Sequence, residues 1–342
     1  VLHLSADHER VIALSHLREL LPEQVELLAG PGSGGSLCPA SDIYQAIRLC
    51  TEHDLTLMVE QDLLAVPGPH GLAGPLSLAE AQTAGADVRI ISAPVEALLF
   101  AAQHPERDTV LFTAGFETLL APLAGVLLEG VPSNLSLLLC GRRAQALLQH
   151  AAPEQLARYD GLLLPGNRSS LLGVQAWEQV AQQSQRPAVV AGYTAQALLS
   201  GLEALLRAIN NGEVGVQNHF RPMVRQKGNA IALQRLHAVF DITDGRWRGI
   251  GSVTDSAYRL RSEYAHCDAD RRYPDYRHAV GTGSDFHAEC DCAAVISARR
   301  KPSSCLGFNQ RCAPDNPAGP CMGASDGTCR IHSLAELNGR RS

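Results

Sequence analysis

Six cysteines crowded near the end of the sequence are the residues best suited to chemistry. They are Cys290, Cys292, Cys305, Cys312, Cys321 and Cys329, and the other four of the ten cysteines are scattered. The cluster begins with a close Cys-x-Cys pair, and intervals of twelve, six, eight and seven residues follow. Thiolates are soft ligands that suit iron–sulfur clusters and zinc, and a [4Fe-4S] cluster takes four of them. At least two of the six are therefore surplus.

Turn-forming dipeptides separate these cysteines and predict a loop that wraps around a centre. They are Lys301-Pro302, Ala313-Pro314, Asn316-Pro317, Gly319-Pro320 and Asp326-Gly327. Zinc ribbons and fingers favour paired Cys-x₂₋₄-Cys knuckles, which this pattern lacks. In a secreted protein the same cysteines would indicate disulfides, whereas in a reducing compartment they indicate a metal site. Spacing alone leaves an iron–sulfur cluster, structural zinc and free thiols open.

Composition excludes several classes of protein. The 342 residues are 45% hydrophobic and 19% charged, with a net charge of -6 and no basic block in the first half. A nucleic-acid binder normally shows a clustered basic face, so we expect no nucleic-acid partner. No apolar run approaches the ~20 residues of a bilayer span, and the opening VLHLSADHER lacks the features of a signal peptide. We expect a cytoplasmic protein without a membrane partner.

The first two-thirds of the chain alternates short apolar runs with amphipathic stretches, which predicts βαβ units and a parallel sheet. Strands are predicted at Val25–Ala29, Leu55–Glu60, Val88–Ser92, Thr109–Thr113, Leu135–Cys140, Gly161–Leu164 and Ala188–Ala191. Helices are predicted at Ser41–Glu52, Pro94–Gln103, Thr118–Glu129, Arg142–His150 and Thr194–Ile209. These strands are too many for one compact Rossmann unit, so we predict two lobes.

The predicted fold class is α/β, with two Rossmann-like parallel-sheet lobes and a smaller irregular α+β C-terminal iron–sulfur domain. We place the first lobe at 1–95, the second at 96–212 and the cysteine-rich domain at 213–342. Strand–helix alternation stops near residues 210–215, and long apolar runs disappear beyond them. A domain with so thin a hydrophobic core needs a metal to staple it.

Motifs along the whole chain carry a specific resemblance. Those at the C-terminus are Cys290-Asp-Cys292, Lys301-Pro302-Ser-Ser-Cys305, Phe308, Cys312-Ala-Pro314, Asn316-Pro317, Gly319-Pro320-Cys321-Met322 and Asp326-Gly327-Thr-Cys329. Those upstream are Leu20-Leu21-Pro22, Gly30-Pro31-Gly32, Gly115-Phe116-Glu117-Thr118, Ala121-Pro122, Asp160-Gly161, Pro165-Gly166, Gln217-Asn218, Gly228-Asn229, Arg246-Trp247-Arg248-Gly249-Ile250-Gly251, Glu263-Tyr264-Ala265 and Asp268-Ala269. In this order they resemble the HypD family of [NiFe]-hydrogenase maturation proteins.

The resemblance implies three α/β domains with a [4Fe-4S] cluster in the third. It also implies three partners, namely a HypC-like chaperone, a HypE-like cyanide donor that works with HypF, and the hydrogenase large subunit. The group assembled and transferred is an iron atom with two cyanides and one carbonyl, Fe(CN)2CO. We predict that Cys305, Cys312, Cys329 and one of Cys290 and Cys292 bind the cluster, and that Cys321 is the surplus thiol.

The chain departs from this family where the family's reactive cysteines stand. A redox-active Cys-Pro-Val-Cys pair follows Gly-Pro-Gly in the family, whereas Ser33-Gly-Gly-Ser36 stands here. The family's Cys-Gly-Gly-His-Thr-His segment, whose cysteine is implied to hold iron, falls on a segment that begins with Ser5. A histidine expected after Pro165-Gly166 is Asn167. A hydroxyl neither forms a disulfide nor readily ligates iron, unlike a thiol of pKa near 8.5.

Two other residues are candidates for chemistry. Cys38, two residues beyond Ser36, is either a substitute thiol in the same cleft or a small buried hydrophobe at the start of a helix. Glu117 opens a predicted helix after a predicted strand, where an acid is commonly a cap. By resemblance, Glu117 is instead an acid that lines the cleft between the lobes.

Two functions from different classes follow. The first is a working maturation protein that handles Fe(CN)2CO with altered ligands. The second is a catalytically degenerate paralog that serves as a cluster-bearing scaffold for a partner. A redox or iron sensor, whose cluster controls association, is a weaker third interpretation.

Overall fold

The computed structural model of the chain describes residues 1–151, 153–274 and 284–339, which fold into a mixed α/β structure. The strands are β1 Leu2–His3, β2 Leu28–Ala29, β3 Leu55–Glu60, β4 Val88–Ile91, β5 Asp108–Gly115, β6 Leu135–Arg142, β7 Leu162–Pro165, β8 Pro187–Ala191, β9 Gly215–Asn218, β10 Phe240–Trp247 and β11 Gly251–Leu260.

Helices alternate with these strands over most of the chain. They are α1 Ala6–Leu14, α2 Gly34–Leu37, α3 Ala40–Glu52, α4 Gln61–Leu64, α5 Leu78–Thr83, α6 Pro94–Gln103, α7 Glu117–Leu127, α8 Ala146–Gln149, α9 Pro153–Leu156, α10 Gly166–Leu172, α11 Gln175–Ser184, α12 Ala195–Asn210, α13 Ala230–Val239, α14 Ala269–Arg272, α15 Cys292–Ile296, α16 Pro320–Gly323 and α17 Thr328–Gly339. None of the helices described combines the length and apolar character that a bilayer span requires.

The strands form two sheets, which confirms the predicted fold class. The first sheet has the order β2-β1-β7-β8-β9 and is parallel throughout. The second has the order β10-β11-β6-β5-β3-β4, with parallel pairs from β6 to β4. Strand β11 pairs antiparallel with both β6 and β10.

Helices cover the second sheet on both faces, so its central strands are buried along nearly their whole length. On one face Ile43 and Ile47 of α3 pack with Leu57 and Val59 of β3. On the other face Leu120 and Leu123 of α7 belong to a separate core cluster. The first sheet packs in the same way against α12, whose Leu198 and Leu205 are buried.

The two sheets do not follow the predicted boundary at residue 95. Strands β4 and β5, on either side of it, both pair with β3 in the second sheet. The first sheet takes β1 and β2 from the start of the chain and β7–β9 from residues 162–218. Independent folding of residues 1–95, 96–212 and 213–342 stays a prediction, and parts of the last segment lie outside the described residues.

Regular structure continues beyond residue 213, where the sequence indicated only an irregular domain. Asn229 caps α13, because its side-chain oxygen accepts from the Ala232 amide at 3.1 Å. The hairpin β10–β11 then extends the second sheet, and its turn contains Gly249 with φ +79°. A Cβ at Gly249 would press on Ala293 and Phe286, which ties the turn to the cysteine-rich segment.

Trp247 anchors this hairpin. Its side chain is 1% exposed, and its indole Nε1 donates to the Ser256 hydroxyl at 2.8 Å. Its ring and that of Phe116 pack in an edge-to-face arrangement, with their centroids 6.1 Å apart. We expect Trp247→Ala to lower the free energy of unfolding by about 3–5 kcal/mol, since it leaves a large cavity. The exposed Ile242 of β10 is the matched control, and Ile242→Ala should cost less than about 1 kcal/mol. Urea denaturation checks both, and equal losses would contradict the packing of the hairpin.

Candidate metal centre

The structure brings the C-terminal cysteines together around one centre. The Sγ atoms of Cys290 and Cys292 lie 3.1 Å apart, and those of Cys321 and Cys329 lie 3.2 Å apart. Cys290 also interacts with Cys321, which links the two pairs. The remaining two cysteines, Cys305 and Cys312, are buried in the loop that connects them. Cys312 interacts electrostatically with Cys290, Cys305 and Cys329, so the six thiols lie in one neighbourhood.

Short helices and tight turns hold these thiols in place. Cys292 begins α15, Cys321 lies in α16 and Cys329 in α17. Between them, the Cys312 sulfur accepts from the Ala318 amide at 3.3 Å. A Cβ at Gly319 would collide with the sulfurs of Cys290 and Cys292. The segment thus needs a residue without a side chain where it passes closest to the sulfurs.

The electrostatics of this centre fit a thiolate-bound metal. Hydrogen bonds from Cys292 and Cys321 lower the pKa of Cys290, whereas burial raises the pKa of Cys292. One thiolate is therefore readily formed, and the buried neighbours would be deprotonated by a metal, because ligation removes thiol protons. A donor set made only of sulfur suits an iron–sulfur cluster or zinc.

The geometry does not single out four ligands. Cys321 lies between Cys290 and Cys329, so its sulfur is as central as theirs. The choice of Cys305, Cys312, Cys329 and one of Cys290 and Cys292, with Cys321 surplus, stays a prediction.

The loop that carries Ser33 and Ser36 packs against this centre. Ser33 caps α2, because its Oγ accepts from the Ser36 amide at 3.1 Å, and it lies 2.9 Å from the Ser36 Oγ. Ser33 donates to the Asp326 carboxylate at 2.5 Å, and Ser36 donates to the Pro320 carbonyl at 3.3 Å. Both hydroxyls therefore hydrogen-bond to the segment that contains Cys321 and Cys329.

Ser5 and Asn167, the other two positions at which the resemblance implied a different residue, lie close to the same loop. Ser5 caps α1, and its Oγ accepts from the His8 amide at 3.3 Å. Asn167 donates to Asp7 at 3.1 Å and accepts from the Tyr193 hydroxyl at 2.5 Å. Hydroxyl and amide groups hydrogen-bonded in this way are structural groups, and none offers a thiolate.

Arg168 joins these parts, although the sequence did not single it out. Its guanidinium is buried and donates to the carbonyls of Leu4 at 2.9 Å and Gly32 at 2.8 Å. It also lies 3.6 Å from the centroid of the Phe116 ring. The segments that carry Ser5 and Ser33 are therefore held by one side chain, and only its position after Pro165-Gly166-Asn167 hinted at a role.

Glu117 is the first residue of α7, as predicted, and is fully buried. Its carboxylate accepts from the Ala144 amide at 3.0 Å and lies 3.4 Å from the Tyr258 hydroxyl. Burial raises its pKa, and the charge of Arg168 partly opposes this. A role as an acid of the cleft stays a prediction.

Cys38 is fully buried at the end of α2, and its choice between a substitute thiol and a small buried hydrophobe stays a prediction. It nonetheless has polar neighbours, Asp42 and Cys140.

Arg248, from the Arg-Trp-Arg motif, is also buried beside the cysteine centre. Its guanidinium donates to the carbonyls of Pro67 at 2.7 Å and of Asp285. Burial lowers its pKa, and the nearby Cys292 and Cys321 oppose this. Arg248 therefore places a positive charge next to the thiolates from within the core.

A buried ionic network around Glu9 was missed entirely at the sequence level. The Glu9 carboxylate contacts His3 at 2.7 Å, Arg18 at 2.7 Å and His332 at 2.5 Å. Burial alone would raise the pKa of Glu9, but the hydrogen bonds from His3 and His332 and the charge of Arg18 hold it well below the usual value. His332 is 323 positions from Glu9, and the four residues match no motif, so only the fold reveals the network.

Asp326, which accepts a hydrogen bond from Ser33, should make the stability of the protein depend on pH. Burial, together with the charge of Asp62, raises its pKa to about 7. Between about pH 4 and 7 the folded state keeps a proton that the unfolded state has lost, so stability should fall as pH rises through this window. Between pH 5.5 and 8, we expect the free energy of unfolding of the wild type to fall by about 1–2 kcal/mol more than that of Asp326→Asn. Urea denaturation at the two pH values measures both. The exposed Asp315 is the control, since Asp315→Asn should keep the wild-type dependence. Identical slopes for all three proteins would contradict this reading of Asp326.

Comparison with known proteins finds similarity over nearly the whole chain. A family model, HypD (hydrogenase formation hypA family), matches residues 1–335. The hydrogenase maturation factor HypD of Cupriavidus necator is 31% identical over 335 residues, covering 95% of this chain and 86% of the relative. That of Azotobacter vinelandii is 33% identical over 332 residues, covering 94% and 85%. That of Rhodobacter capsulatus is 28% identical over 340 residues, covering 97% and 88%. The protein therefore belongs to the HypD family of hydrogenase maturation factors.

Proposed function

We propose that this protein takes part in hydrogenase maturation and holds a [4Fe-4S] cluster among its C-terminal cysteines. The observation that carries the proposal is the convergence of six thiols, five of them buried, in a family of hydrogenase maturation factors. Such a concentration of sulfur without carboxylate or imidazole ligands favours iron–sulfur chemistry over catalytic zinc, which keeps nitrogen or oxygen ligands. We further propose Cys305, Cys312, Cys329 and one of Cys290 and Cys292 as the cluster ligands.

A bound cluster would supply electrons one at a time to chemistry at the neighbouring loop. The residues of the chain prepare that position. Arg248 contributes a buried positive charge beside Cys292 and Cys321, which favours thiolates and a reduced, more negative centre. Hydrogen bonds from Ser33 and Ser36 hold the loop against Asp326 and Pro320. Glycine at position 319 leaves room for the sulfurs.

The substrate and partners follow from the family. We propose that the protein takes part in assembly or transfer of the Fe(CN)2CO group, together with a HypC-like chaperone, a HypE-like cyanide donor and the hydrogenase large subunit. We propose a cytoplasmic location, because a thiolate site of this kind needs a reducing compartment.

A second candidate function is a scaffold that binds the cluster and partners without transferring ligands. The observation that favours it is the hydrogen bonding of Ser33 and Ser36, whose hydroxyls are 2.9 Å apart where the family has its redox-active cysteines. Serine hydroxyls cannot form a disulfide, and both are engaged with the C-terminal segment. In this candidate the loop keeps its shape but has no redox couple.

Metal content tests the cluster. We expect anaerobically purified protein to contain about four irons and four acid-labile sulfides per chain, with a visible absorption band that dithionite bleaches. Cys305→Ala, Cys312→Ala and Cys329→Ala should each lose most of the iron. Cys50→Ala is the matched control, because Cys50 is buried in another core and should leave the iron unchanged. Cys321→Ala should retain the cluster if Cys321 is surplus.

Zinc in place of iron at these cysteines would overturn the cluster proposal. The C-terminal segment would then be stapled by a redox-silent metal.

Complementation separates the two candidate functions. If the protein transfers the Fe(CN)2CO group, the chain expressed in a strain that lacks its ordinary HypD should restore hydrogenase activity. The scaffold candidate predicts no restoration, because Ser5, Ser33 and Ser36 provide no thiolates. The host's own HypD, expressed in parallel, controls for the assay, and iron content of the purified chain controls for cluster assembly. Restored activity would rule out the scaffold candidate and support transfer through other ligands.

A further inference from the structure

A second group of metal-binding side chains lies apart from the C-terminal cysteines, in the core of the second sheet. Cys38 ends α2, Asp42 lies in the first turn of α3, and Cys140 lies on β6. One ligand atom of each, two sulfurs and a carboxylate oxygen, all lie within 4.8 Å of one another. Cys38 and Cys140 are 0% and 1% exposed. Three potential ligand atoms therefore meet in a site closed to bulk water on the side of the sulfurs.

The two thiols differ from the other buried cysteines outside the C-terminal cluster. Cys50 donates to the Ile47 carbonyl at 3.2 Å, and Cys267 donates to the Tyr264 carbonyl at 3.1 Å. Each thus satisfies its thiol within its own helical turn, as a buried structural cysteine does. Cys38 and Cys140 instead interact with each other, and Cys140 interacts with Asp42. They form a mutual cluster from three separate elements.

Charge balance around the group suits a divalent cation. Arg142, two residues after Cys140 on β6, is buried, and its charge acts on both Cys38 and Asp42. Its Nε atom has no hydrogen-bond partner, while its other nitrogens donate to the carbonyls of Gly141 and Arg246. Two thiolates and one carboxylate carry three negative charges, which one divalent cation and the Arg142 guanidinium neutralise. Arg248 acts on Cys38 and Asp270 acts on Asp42 with opposite charges, so these two groups offset each other. A metal would therefore leave this buried site with no net charge.

We propose that Cys38, Asp42 and Cys140 form a binding site for a zinc-like divalent cation, separate from the cysteine centre. Thiolate and carboxylate bonds to zinc of about 2.0–2.3 Å place tetrahedral donors about 3.5–3.8 Å apart. Donor atoms already within 4.8 Å reach that spacing through a small closure of the side chains. Two thiols give up their protons to solvent when the cation binds, and Asp42 completes a set of three protein ligands. A water molecule fills the fourth position.

The site would hold the loop that carries Ser33 and Ser36 against the second sheet. Cys38 follows Ser36 by two residues, and Cys140 lies on β6, in the middle of the sheet. A cation shared by the two would fix the end of α2 and the start of α3 against β6. The position of Ser33 and Ser36 relative to the C-terminal cysteines would then depend on this cation as well as on their own hydrogen bonds.

Metal analysis of the cluster-loaded protein tests this site. After incubation with Zn²⁺ and removal of excess metal, we expect about one zinc per chain beyond the iron, measured by elemental analysis. Cys38→Ser and Cys140→Ser should each lose that zinc while iron and sulfide stay at the wild-type level. Co²⁺ in place of Zn²⁺ should give a thiolate-to-cobalt charge-transfer band that both variants abolish.

Two controls locate the zinc. Cys50→Ser removes a buried thiol of the same core that lies outside the group and should keep the zinc. Cys321→Ala removes the predicted surplus thiol of the C-terminal centre and should also keep it. Loss of zinc in Cys321→Ala with retention in Cys38→Ser and Cys140→Ser would assign the cation to the C-terminal centre and overturn the proposal.

A measurement on the wild type guards against variants that fail to fold. The thiols are alkylated in moderate urea, with and without Zn²⁺, and modified peptides are quantified by mass spectrometry. We expect Zn²⁺ to slow modification of Cys38 and Cys140 several-fold more than that of Cys50. Equal protection of all three, or none, would refute the site. The iron content is measured on the same samples, so failure of this site leaves the cluster proposal standing and the reverse also holds.

Discussion

The close approach of the glycine-rich loop to three neighbouring backbones is the constraint on which the candidate site depends. A Cβ at Gly32 would lie 2.8 Å from the Ala6 amide nitrogen, and one at Gly34 would lie 2.5 Å from the Ala114 carbonyl oxygen. A Cβ at Gly35 would lie 2.7 Å from the Asp62 carbonyl oxygen. Real side chains essentially never come so close, so these positions require glycine. The loop is thereby held between the start of α1, strand β5 of the second sheet and α4.

A buried ionic network supports this junction from the other side. Glu9 of α1 contacts His332 of α17, which joins the start of the chain to the helix that carries Cys329. An ionised carboxylate in a site that is 1% exposed persists only because His3, Arg18 and His332 compensate for its lost hydration. Removing one partner leaves an uncompensated buried charge. The Glu9 carboxylate therefore links α1, near the start of the chain, to α17, near its end.

Features that depend on neighbouring residues in the sequence were predicted well, whereas features that depend on distant contacts were not. Leu55–Glu60 and Pro94–Gln103 were predicted with the bounds that the structure has, since each is a single buried run or an amphipathic stretch with its own cap. The strand predicted at Val25–Ala29 shrinks to Leu28–Ala29, because it pairs only with the two residues of β1 at the edge of its sheet. Strand β10 escaped prediction because it alternates buried and exposed residues at a sheet edge, without a continuous apolar run. Membership of the two sheets is a non-local property and could not be read from strand order.

The same distinction holds at the site. The cysteine cluster was predictable, because its thiols share one residue type and one short segment. The contacts of Arg168, the contact of Glu9 with His332 and the meeting of Cys38 with Cys140 join residues about a hundred or more positions apart. Asp326 was visible only as half of a turn dipeptide, and its altered pKa arises from burial and from Asp62, which lies on another element. Titration behaviour of this kind is created by the fold.

Ser5, Ser33 and Ser36 each have a structural role that a hydroxyl performs well. Serine is among the best N-cap residues, and Ser5 and Ser33 both cap the helices that they precede. Ser36 adds a hydrogen bond to the Pro320 carbonyl, where a thiol would bond more weakly. Each of these hydroxyls therefore makes a local contact that holds a helix start or the loop in place. Together with the glycine contacts, they fix the shape of the loop in front of the cysteine centre.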